Sequence, residues 1–310
     1  MLSRIAESMF WIGRYVERAE DTARILDVQT QLLWEAAPAQ EEETCRNLLS
    51  IMGVGVEDDE PVDTATVLAH LVHDINRPTS VAANLAAARE SARRARETLS
   101  EPMWEALNST HRVVASGQLA RMPLASVFTW VRDRVALVNG AADATMTRDE
   151  GWQFLVLGRF IERADMTSRL VATASFRSTA GSPWTSILRA CGGHEAFLRT
   201  YKGLETDRGA AEFLLLDRLF PRSVVFSMSR AEQCLDNLEG GQRAGFQNDA
   251  HRLVGRTRAD LEYRALSEVT ADLPAEMERL QRTCAEATEA IGRRYFAGSE
   301  GTYWMGGRVS

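Results

Sequence analysis

The sequence of 310 residues is almost without lysine. It contains 36 lysine and arginine residues together, and Lys202 is the one lysine. Arginine supplies the other positive charges, and its planar fork binds carboxylates and phosphates in a bidentate manner. Genome composition bias is the favoured explanation, and a need for such forks is the alternative. The formal net charge of −7 argues against a general nucleic-acid surface, which would need a net basic face.

Long apolar runs are absent as well. No segment approaches the roughly 20 consecutive apolar residues of a membrane-spanning helix. The first ten residues lack the apolar region of a signal peptide. The cysteines, Cys45, Cys191, Cys234 and Cys284, are widely spaced, which is typical of buried, reduced thiols. We therefore expect a cytoplasmic protein that binds neither membrane nor nucleic acid.

Motifs for cofactors and metals are also missing. The sequence has no glycine-rich phosphate or dinucleotide loop, no G-x-S-x-G elbow and no Glu-x-x-His of a di-iron bundle. His70, His73 and Asp74 have a spacing that could face one metal, but a hydrogen-bonded or solvated pair is the favoured interpretation. Cys191-Gly-Gly-His194 lacks the second ligand pair of a zinc site. We expect no metal and no cofactor.

What the sequence does contain is typical of an all-α protein. Alanine, leucine, glutamate and arginine are abundant and favour helices, and only eight prolines interrupt them. Valine, isoleucine and threonine do not gather into alternating runs. A chain of this length can bury a large core and hold about two domains. The composition therefore predicts a multi-helix bundle.

One stretch occurs twice. Residues 12–26 read IGRYVERAEDTARIL, and residues 157–171 read LGRFIERADMTSRLV. At an offset of 145 the identical residues are Gly13, Arg14, Glu17, Arg18, Ala19, Thr22 and Arg24, which align with Gly158, Arg159, Glu162, Arg163, Ala164, Thr167 and Arg169. The apolar positions of both stretches step by three and four, which predicts an amphipathic helix in each.

The charged residues of this motif lie opposite the apolar stripe. A solvated face with ion pairs of about 0.2–0.5 kcal/mol each is one interpretation. Because two distant segments carry the same charges, partly buried and mutually paired charges are an equal alternative. The candidate catalytic residues are then Glu17, Arg18, Glu162 and Arg163. The candidate binding residues are Arg14, Asp21, Arg24, Arg159, Asp165, Arg169, Asp74 and Asp217. We expect Glu17→Ala and Glu162→Ala to be far more damaging than Glu20→Ala.

Two further segments match in the same order. Residues 45–53 resemble residues 184–192, and residues 74–81 resemble residues 217–224, at offsets of 139 and 143. The three matches predict two tandem pseudo-symmetric helical repeats, 1–145 and 146–297, packed about a pseudo-two-fold axis. A glycine-rich tail, 298–310, follows them. Its aromatic segment at Tyr303 and Trp304 is a candidate docking segment or a loose end.

Local signals place the helix ends. We predict a first helix from residue 4 to 36, capped by Ser3 and ended by Pro38, and a motif helix from 147 to 174. Pro78 is expected at a helix start. Asp74 and Asp217 precede a proline by four residues in each half. They are expected to bond the local backbone of a turn or, alternatively, to accept an arginine of a motif helix.

The paired G-R-[YF]-[VI]-E-R-A segments at 13–19 and 158–164, in a helical chain of this length, resemble the alpha-E domain family. That bacterial family is known for a helical fold and an E-R motif, and the resemblance covers essentially the whole chain. It implies a genomic setting beside a circularly permuted ATP-grasp ligase, and often beside a transglutaminase-like cysteine peptidase. The implied process is synthesis or modification of a small peptide. The family supplies no catalytic residues to carry over.

Three hypotheses follow. The leading one is a helical accessory subunit of such a ligase, which binds the ligase, a peptide substrate or both. The alternative is an enzyme in its own right, with Glu17 or Glu162 as acid or base and Arg18 or Arg163 as charge stabiliser. The third is a purely structural dimer protein with no ligand. The surroundings of the two glutamates distinguish them.

Overall fold

In the computed structural model, the described residues are 1–35, 38–57, 61–175, 183–202, 206–240 and 248–296. These residues form helices and turns without any strand, which confirms the all-α prediction. None of the helices in these ranges combines the length and the apolarity needed to span a membrane. The predicted tail segment at Tyr303 and Trp304 lies outside the described residues.

The α-helices are α1 Ser3–Glu35, α2 Pro38–Ile51, α3 Thr64–Leu68, α4 Val81–Arg94, α5 Glu101–Ala115, α6 Leu124–Thr145, α7 Glu150–Ala172, α8 Pro183–Ala190, α9 His194–Thr200, α10 Asp207–Leu216, α11 Val224–Leu238, α12 Asp249–Tyr263, α13 Leu266–Val269 and α14 Leu273–Tyr295. A π-helical turn, Ala69–His73, continues α3, and short 3₁₀ turns cover Leu119–Arg121 and Thr173–Ser175.

The chain divides into two compact units. Of the described residues, the first unit contains Met1–Arg14 and those in 147–296, and the second contains those in 15–146. The first turns of α1 therefore belong to the same unit as α7, which carries the second copy of the motif.

The first unit is built around α7. This helix packs against α10, α11 and α14, and α12 packs against α11 and α14. Nearly every residue of α7 from Gly151 to Val171 is buried, including the charged residues of the motif. A helix that is buried on all sides forms the centre of a fold rather than its surface.

The second unit contains the remaining helices of the N-terminal half. In it α4 packs against α5, α5 packs against α6, and the π-helical turn packs against α3 and α4. Arg132 of α6 donates from Nη1 to Asp27 Oδ2 of α1 at 2.6 Å. This ion pair ties the C-terminal part of α1 to α6.

Three helix ends differ from the sequence prediction. Ser3 is the first residue of α1 rather than its cap, and Pro38 begins α2 rather than only ending the preceding helix. Pro78 does not start a helix, because Ser80 is the N-cap of α4 and accepts the Ala83 N–H at 3.0 Å. A side-chain oxygen that satisfies a first-turn N–H fixes the start of a helix more strongly than a nearby proline does.

Two helix C-termini share one local structure. Gly53 after α2 and Gly192 after α8 both have positive φ, 73° and 64°, which favours glycine. In each case the following N–H reaches back five residues to a carbonyl, as in a Schellman motif. The donor and acceptor pairs are Val54 with Leu49 at 2.9 Å and Gly193 with Leu188 at 2.8 Å.

A carboxylate joins the ends of three helices in the first unit. Glu239, at the C-cap of α11, accepts two bonds of 2.7 Å from the Arg294 guanidinium. It also accepts the Tyr295 hydroxyl at 2.5 Å and the Asn248 amide at 2.8 Å. Asn248 is the N-cap of α12, so one side chain connects α11, α12 and α14. These bonds, that of Arg294 first, lower the pKa of Glu239 to about 2.

This carboxylate predicts an acid-sensitive contribution to stability. Its pKa is lowered on folding from the ordinary 4.5, so the stabilisation is full above that value and is lost as the pH falls through the folded pKa. We expect the stability difference between wild type and Glu239→Gln to be largest near neutral pH and to shrink towards about pH 2. Urea denaturation at several pH values measures it. A matched Glu289→Gln control, at an exposed site, should show no such trend, and a pH-independent difference for Glu239→Gln contradicts the assignment.

Candidate functional site: a buried charge cluster

The backbones of α1 and α7 touch at the two motif glycines. A Cβ atom on Gly13 would lie 2.1 Å from Leu155 O, and a Cβ on Gly158 would lie 2.0 Å from Phe10 O. Both distances are far below van der Waals contact, and both obstacles are backbone atoms. Only glycine allows helices to approach this closely. The glycine of the motif is therefore the crossing point of the two helices.

The contacts at this crossing are reciprocal. Each glycine faces the carbonyl of the residue three positions before the other glycine, Leu155 in α7 and Phe10 in α1. The Cβ on Gly13 would also lie 2.8 Å from the backbone nitrogen of Arg159, and the Cβ on Gly158 would lie 3.3 Å from that of Arg14. The residues in each pair are those that the 145-residue offset aligns.

The crossing brings Arg14 of α1 against Glu162 of α7. Arg14 Nε donates to Glu162 Oε2 at 2.5 Å, and its Nη1 donates to the hydroxyl of Thr288 on α14 at 2.5 Å. The guanidinium also lies 6.0 and 5.8 Å from the ring centroids of Phe10 and Trp11. Arg14 is 4% exposed and Glu162 is 0% exposed. The motif thus forms a buried ion pair between the residue that follows Gly13 and the residue one turn after Gly158.

A second ion pair lies one turn further along α7. Arg169 Nε donates to Asp165 Oδ2 at 3.0 Å, and Asp165 is buried. The charge of Asp165, and more weakly that of Glu162, raises the pKa of Arg169. Arg14, Glu162, Asp165 and Arg169 are named here the buried charge cluster, and its formal charges cancel.

The thiol of Cys284 on α14 lies within this cluster. Burial raises its pKa, and Asp165 raises it further, so the thiol stays protonated at neutral pH. A buried neutral thiol is chemically inert. Cys284 therefore packs as a small side chain beside the charges, and not as a nucleophile.

The cluster is suited to holding three helices together. Arg14, Glu162 and Thr288 come from α1, α7 and α14, and each polar atom named above has a partner. In the low dielectric of an interior, a satisfied pair is stable and a separated charge is very costly. A carboxylate with no accessible surface cannot exchange a proton with a bound substrate unless the fold opens.

Arg163, the motif residue after Glu162, donates a hydrogen bond to a neighbouring turn. Arg163 donates from Nη1 to the carbonyl of Pro221 at 3.2 Å, and Thr167 donates to the carbonyl of Arg222 at 3.0 Å. Both carbonyls belong to the turn between α10 and α11. Side chains of α7 thus bond main-chain carbonyls of the turn that contains Asp217.

Asp217 itself bonds only local groups in the contacts that the structure gives it. Its Oδ1 accepts the N–H groups of Leu219 and Phe220 at 2.7 Å each, and its carbonyl accepts the hydroxyl of Ser223. Ser223 in turn caps α11 by accepting the Phe226 N–H at 3.0 Å. Asp217 therefore bonds the local backbone of the turn, and Arg163 bonds the Pro221 carbonyl of the same turn.

Asp74 has the same arrangement in the second unit. Its Oδ1 accepts the Asn76 N–H at 2.9 Å, and its carbonyl accepts the hydroxyl of Ser80, the cap of α4, at 2.6 Å. Arg77, three residues on, lies 3.4 Å from its carboxylate. The local interpretation therefore describes Asp74 as well as Asp217.

The motif charges of α1 that belong to the second unit are buried too. Glu17 is 0% exposed, and Arg18 and Asp21 are also buried. Arg24 is half-buried and pairs with Glu20 at 2.7 Å. Arg159, the counterpart of Arg14 in α7, is likewise buried. The interpretation of a solvated charged face is wrong for both copies of the motif, because their charged residues are buried or half-buried.

The spacing of His70, His73 and Asp74 does not produce a metal-binding group in the structure. In the described ranges, no group of three or more histidine, cysteine or acidic residues could hold a metal ion. His70 and His73 lie in the π-helical turn, and burial lowers the pKa of His73. All four cysteines are free thiols and are buried.

Sequence reasoning missed the contribution of α14. Thr288 accepts from Arg14 and donates to the carbonyl of Cys284 at 2.7 Å, and neither residue belongs to a repeated motif. The available signal was periodicity, since Thr283, Cys284, Ala287, Ala290 and Ile291 are the buried positions of the second half of α14. A threonine beside such a stripe is not distinguishable from a boundary residue by sequence.

Comparison with known proteins supplies the context. The model of one protein family, described as a predicted alpha-helical domain with a conserved ER motif, matches residues 1–296. No solved structure matches this chain.

Three curated relatives are similar to this chain. An uncharacterized protein of Mycobacterium bovis is 27% identical over 309 aligned residues, which cover 89% of this chain and 34% of the relative. Uncharacterized proteins of two Mycobacterium tuberculosis strains match with the same identity and coverage. The chain thus spans about a third of the length of the curated relatives it matches.

Proposed function

Because this chain belongs to the Alpha-E family, we propose that it is a cytoplasmic helical accessory subunit of a circularly permuted ATP-grasp ligase. The ligase would form or modify peptide or amide bonds, and a transglutaminase-like protein would belong to the same system. The subunit would bind the ligase, its peptide substrate or both. No nucleic acid or membrane takes part in this proposal.

The observation that carries the proposal is the enclosure of Glu162. With 0% exposure and an Arg14 partner at 2.5 Å, this glutamate is enclosed, which supports a structural role over contact with a substrate. Glu17, equally enclosed, supports the same conclusion for the first copy. Because the signature residues are enclosed, we infer that recognition uses the surface, and this favours a binding role over acid–base catalysis by the motif.

The length of the relatives also supports an accessory role. The matched region accounts for 34% of each mycobacterial protein, so in those chains it is covalently joined to other segments. A helical module that occurs within longer chains is suited to working in contact with other folded parts.

We also infer that the fold consists of the two tandem pseudo-symmetric repeats, 1–145 and 146–297. The reciprocal glycine contacts support this inference, because they join residues that the 145-residue offset aligns. The matching turns at Asp74 and Asp217 and the matching Schellman motifs after α2 and α8 support it independently.

Co-purification tests the accessory role. A tagged copy of this chain, expressed with a circularly permuted ATP-grasp ligase from the same genome, should retain the ligase through size-exclusion chromatography. The ligase should consume ATP faster with the subunit present, and an unrelated acidic helical protein should have no effect. A ligase that is equally active alone and forms no complex at micromolar concentration contradicts the proposal. An amide-bond activity of the isolated chain, abolished by Glu162→Gln without a change in melting temperature, would favour an enzyme instead.

A further inference from the structure

A groove of about 330 Å³ opens in the first unit, between the N-terminal turn of α10 and the segment that joins α13 to α14. Its volume lies in the range of about 300–1,000 Å³ that is usual for small-molecule sites. None of its lining residues belongs to the buried charge cluster or to the repeated motif. The groove is therefore a separate feature of the molecule.

The inner lining of the groove is apolar. Trp184 of α8, Ala211 of α10 and Leu266 of α13 are buried, and Leu273 of α14 is partly exposed. An indole and two leucine side chains form a surface that an aromatic or branched aliphatic group can cover. Removing such a group from water gains about 25 cal/mol per Å² of apolar surface.

The outer lining carries an available cation. Arg208, in the first turn of α10, is exposed and lines the groove, and within the described chain it has no carboxylate partner. The positive end of the helix dipole adds to the guanidinium charge at this position. Arginine forks bind carboxylates through two parallel hydrogen bonds. The charge at the mouth of the groove thus favours an anion.

The neighbouring acid limits which anion fits. Asp207 precedes Arg208 and lines the same groove, so a dianion such as a phosphate monoester meets a repelling charge that a single carboxylate meets more weakly. Ser267, exposed on α13, also lines the groove and offers a hydroxyl that can donate or accept. Because Arg208 and Ser267 line the same groove of about 330 Å³, a carboxylate with an amide next to it can meet both side chains.

We propose that this groove binds a monocarboxylate that carries a bulky apolar group and an adjacent amide, as in an N-acylated amino acid or the C-terminal residue of a peptide. Arg208 binds the carboxylate, Ser267 bonds the amide, and the apolar group covers Trp184 and Leu266. The binding is reversible and involves no covalent step. It is independent of the ligase partner, so either proposal can fail without the other.

Calorimetry on the full chain tests the site with N-acetylphenylalanine as probe. Binding should weaken at least about tenfold for N-acetylphenylalaninamide, which lacks the charge, and for N-acetylglycine, which lacks the apolar group. 3-Phenylpropanoate, without the amide, distinguishes a simple acid from an acylated amino acid and should bind more weakly. Phenyl phosphate should bind more weakly still, because of Asp207.

Two variants with a matched control locate the binding. Arg208→Gln should remove the preference for the acid over the amide, and Ser267→Trp should block the groove while changing only an exposed residue. Arg256→Gln, at an exposed arginine of α12 outside the groove, should bind the probe as the wild type does. The proposal is overturned if N-acetylphenylalanine does not bind at millimolar concentration, or if its affinity is the same in all three variants.

Discussion

Glu162→Ala should lower the free energy of unfolding by about 3–5 kcal/mol, which is the usual cost of leaving one partner of a buried ion pair alone. Arg14 would keep its charge at 4% exposure and lose its carboxylate at 2.5 Å. At about 2–4 °C per kcal/mol the melting temperature should fall by roughly 6–20 °C. Urea denaturation and thermal melting measure both quantities. We expect a similar loss for Glu17→Ala, since Glu17 is equally enclosed.

Three further variants separate the effect of burial from the effect of charge. Glu289→Ala removes an exposed glutamate of α14, 3.7 Å from Arg293, and should change stability by less than about 0.5 kcal/mol. Glu20→Ala should lie between the two, because the Arg24 partner of Glu20 is only partly buried. The double variant Arg14→Met/Glu162→Met removes both charges and should recover much of the loss. If Glu162→Ala melts like Glu289→Ala, the cluster does not hold α1 and α7 together.

Gly158→Ala should also be strongly destabilising. The added methyl would lie 2.0 Å from Phe10 O, and a backbone carbonyl cannot rotate out of the way as a side chain can. The helices must separate, and overpacking of a tight interior typically costs about 1–3 kcal/mol, occasionally more. Gly13→Ala should have the same effect, since its Cβ would lie 2.1 Å from Leu155 O. Urea denaturation of each variant gives the two values.

Gly140→Ala is the matched control for this substitution. Gly140 lies within α6, is exposed, and has no atom within 4 Å of an added Cβ. Alanine there should be neutral or stabilising by up to about 1 kcal/mol, because glycine is the poorer helix former. Equal effects at Gly140 and Gly158 would mean that helix propensity, and not the close crossing, decides the outcome.

Both predictions bear on function through the same argument. If the glycines and the acid–arginine pair of the motif set the distance between α1 and α7, their repetition reflects the needs of the fold. A motif that is used in the interior leaves the outer surface and the groove at Trp184 free for recognition. The proposed accessory role and the proposed carboxylate site both depend on surfaces outside the motif.

Helix positions followed closely from local sequence. The periodicity of apolar residues and the glycines after α2 and α8 act within a few residues of chain, so they can be read without a fold. The error at Pro78 arose where two local signals, the proline and the Ser80 cap, competed. At Pro78 the cap hydroxyl of Ser80 prevailed, because it satisfies a first-turn N–H that a proline leaves open.

The sequence by itself determined that this protein is helical and that its two motif segments carry the same glycine and the same charges, since composition and spacing are properties of the chain alone. Only the tertiary structure decided that those charges are enclosed, that Arg14 bonds Glu162 and Thr288, and that each motif glycine is a contact point. The physical reason is that the free energy of a charge depends on what surrounds it, and neighbours 148 and 274 residues away in the chain leave no local trace.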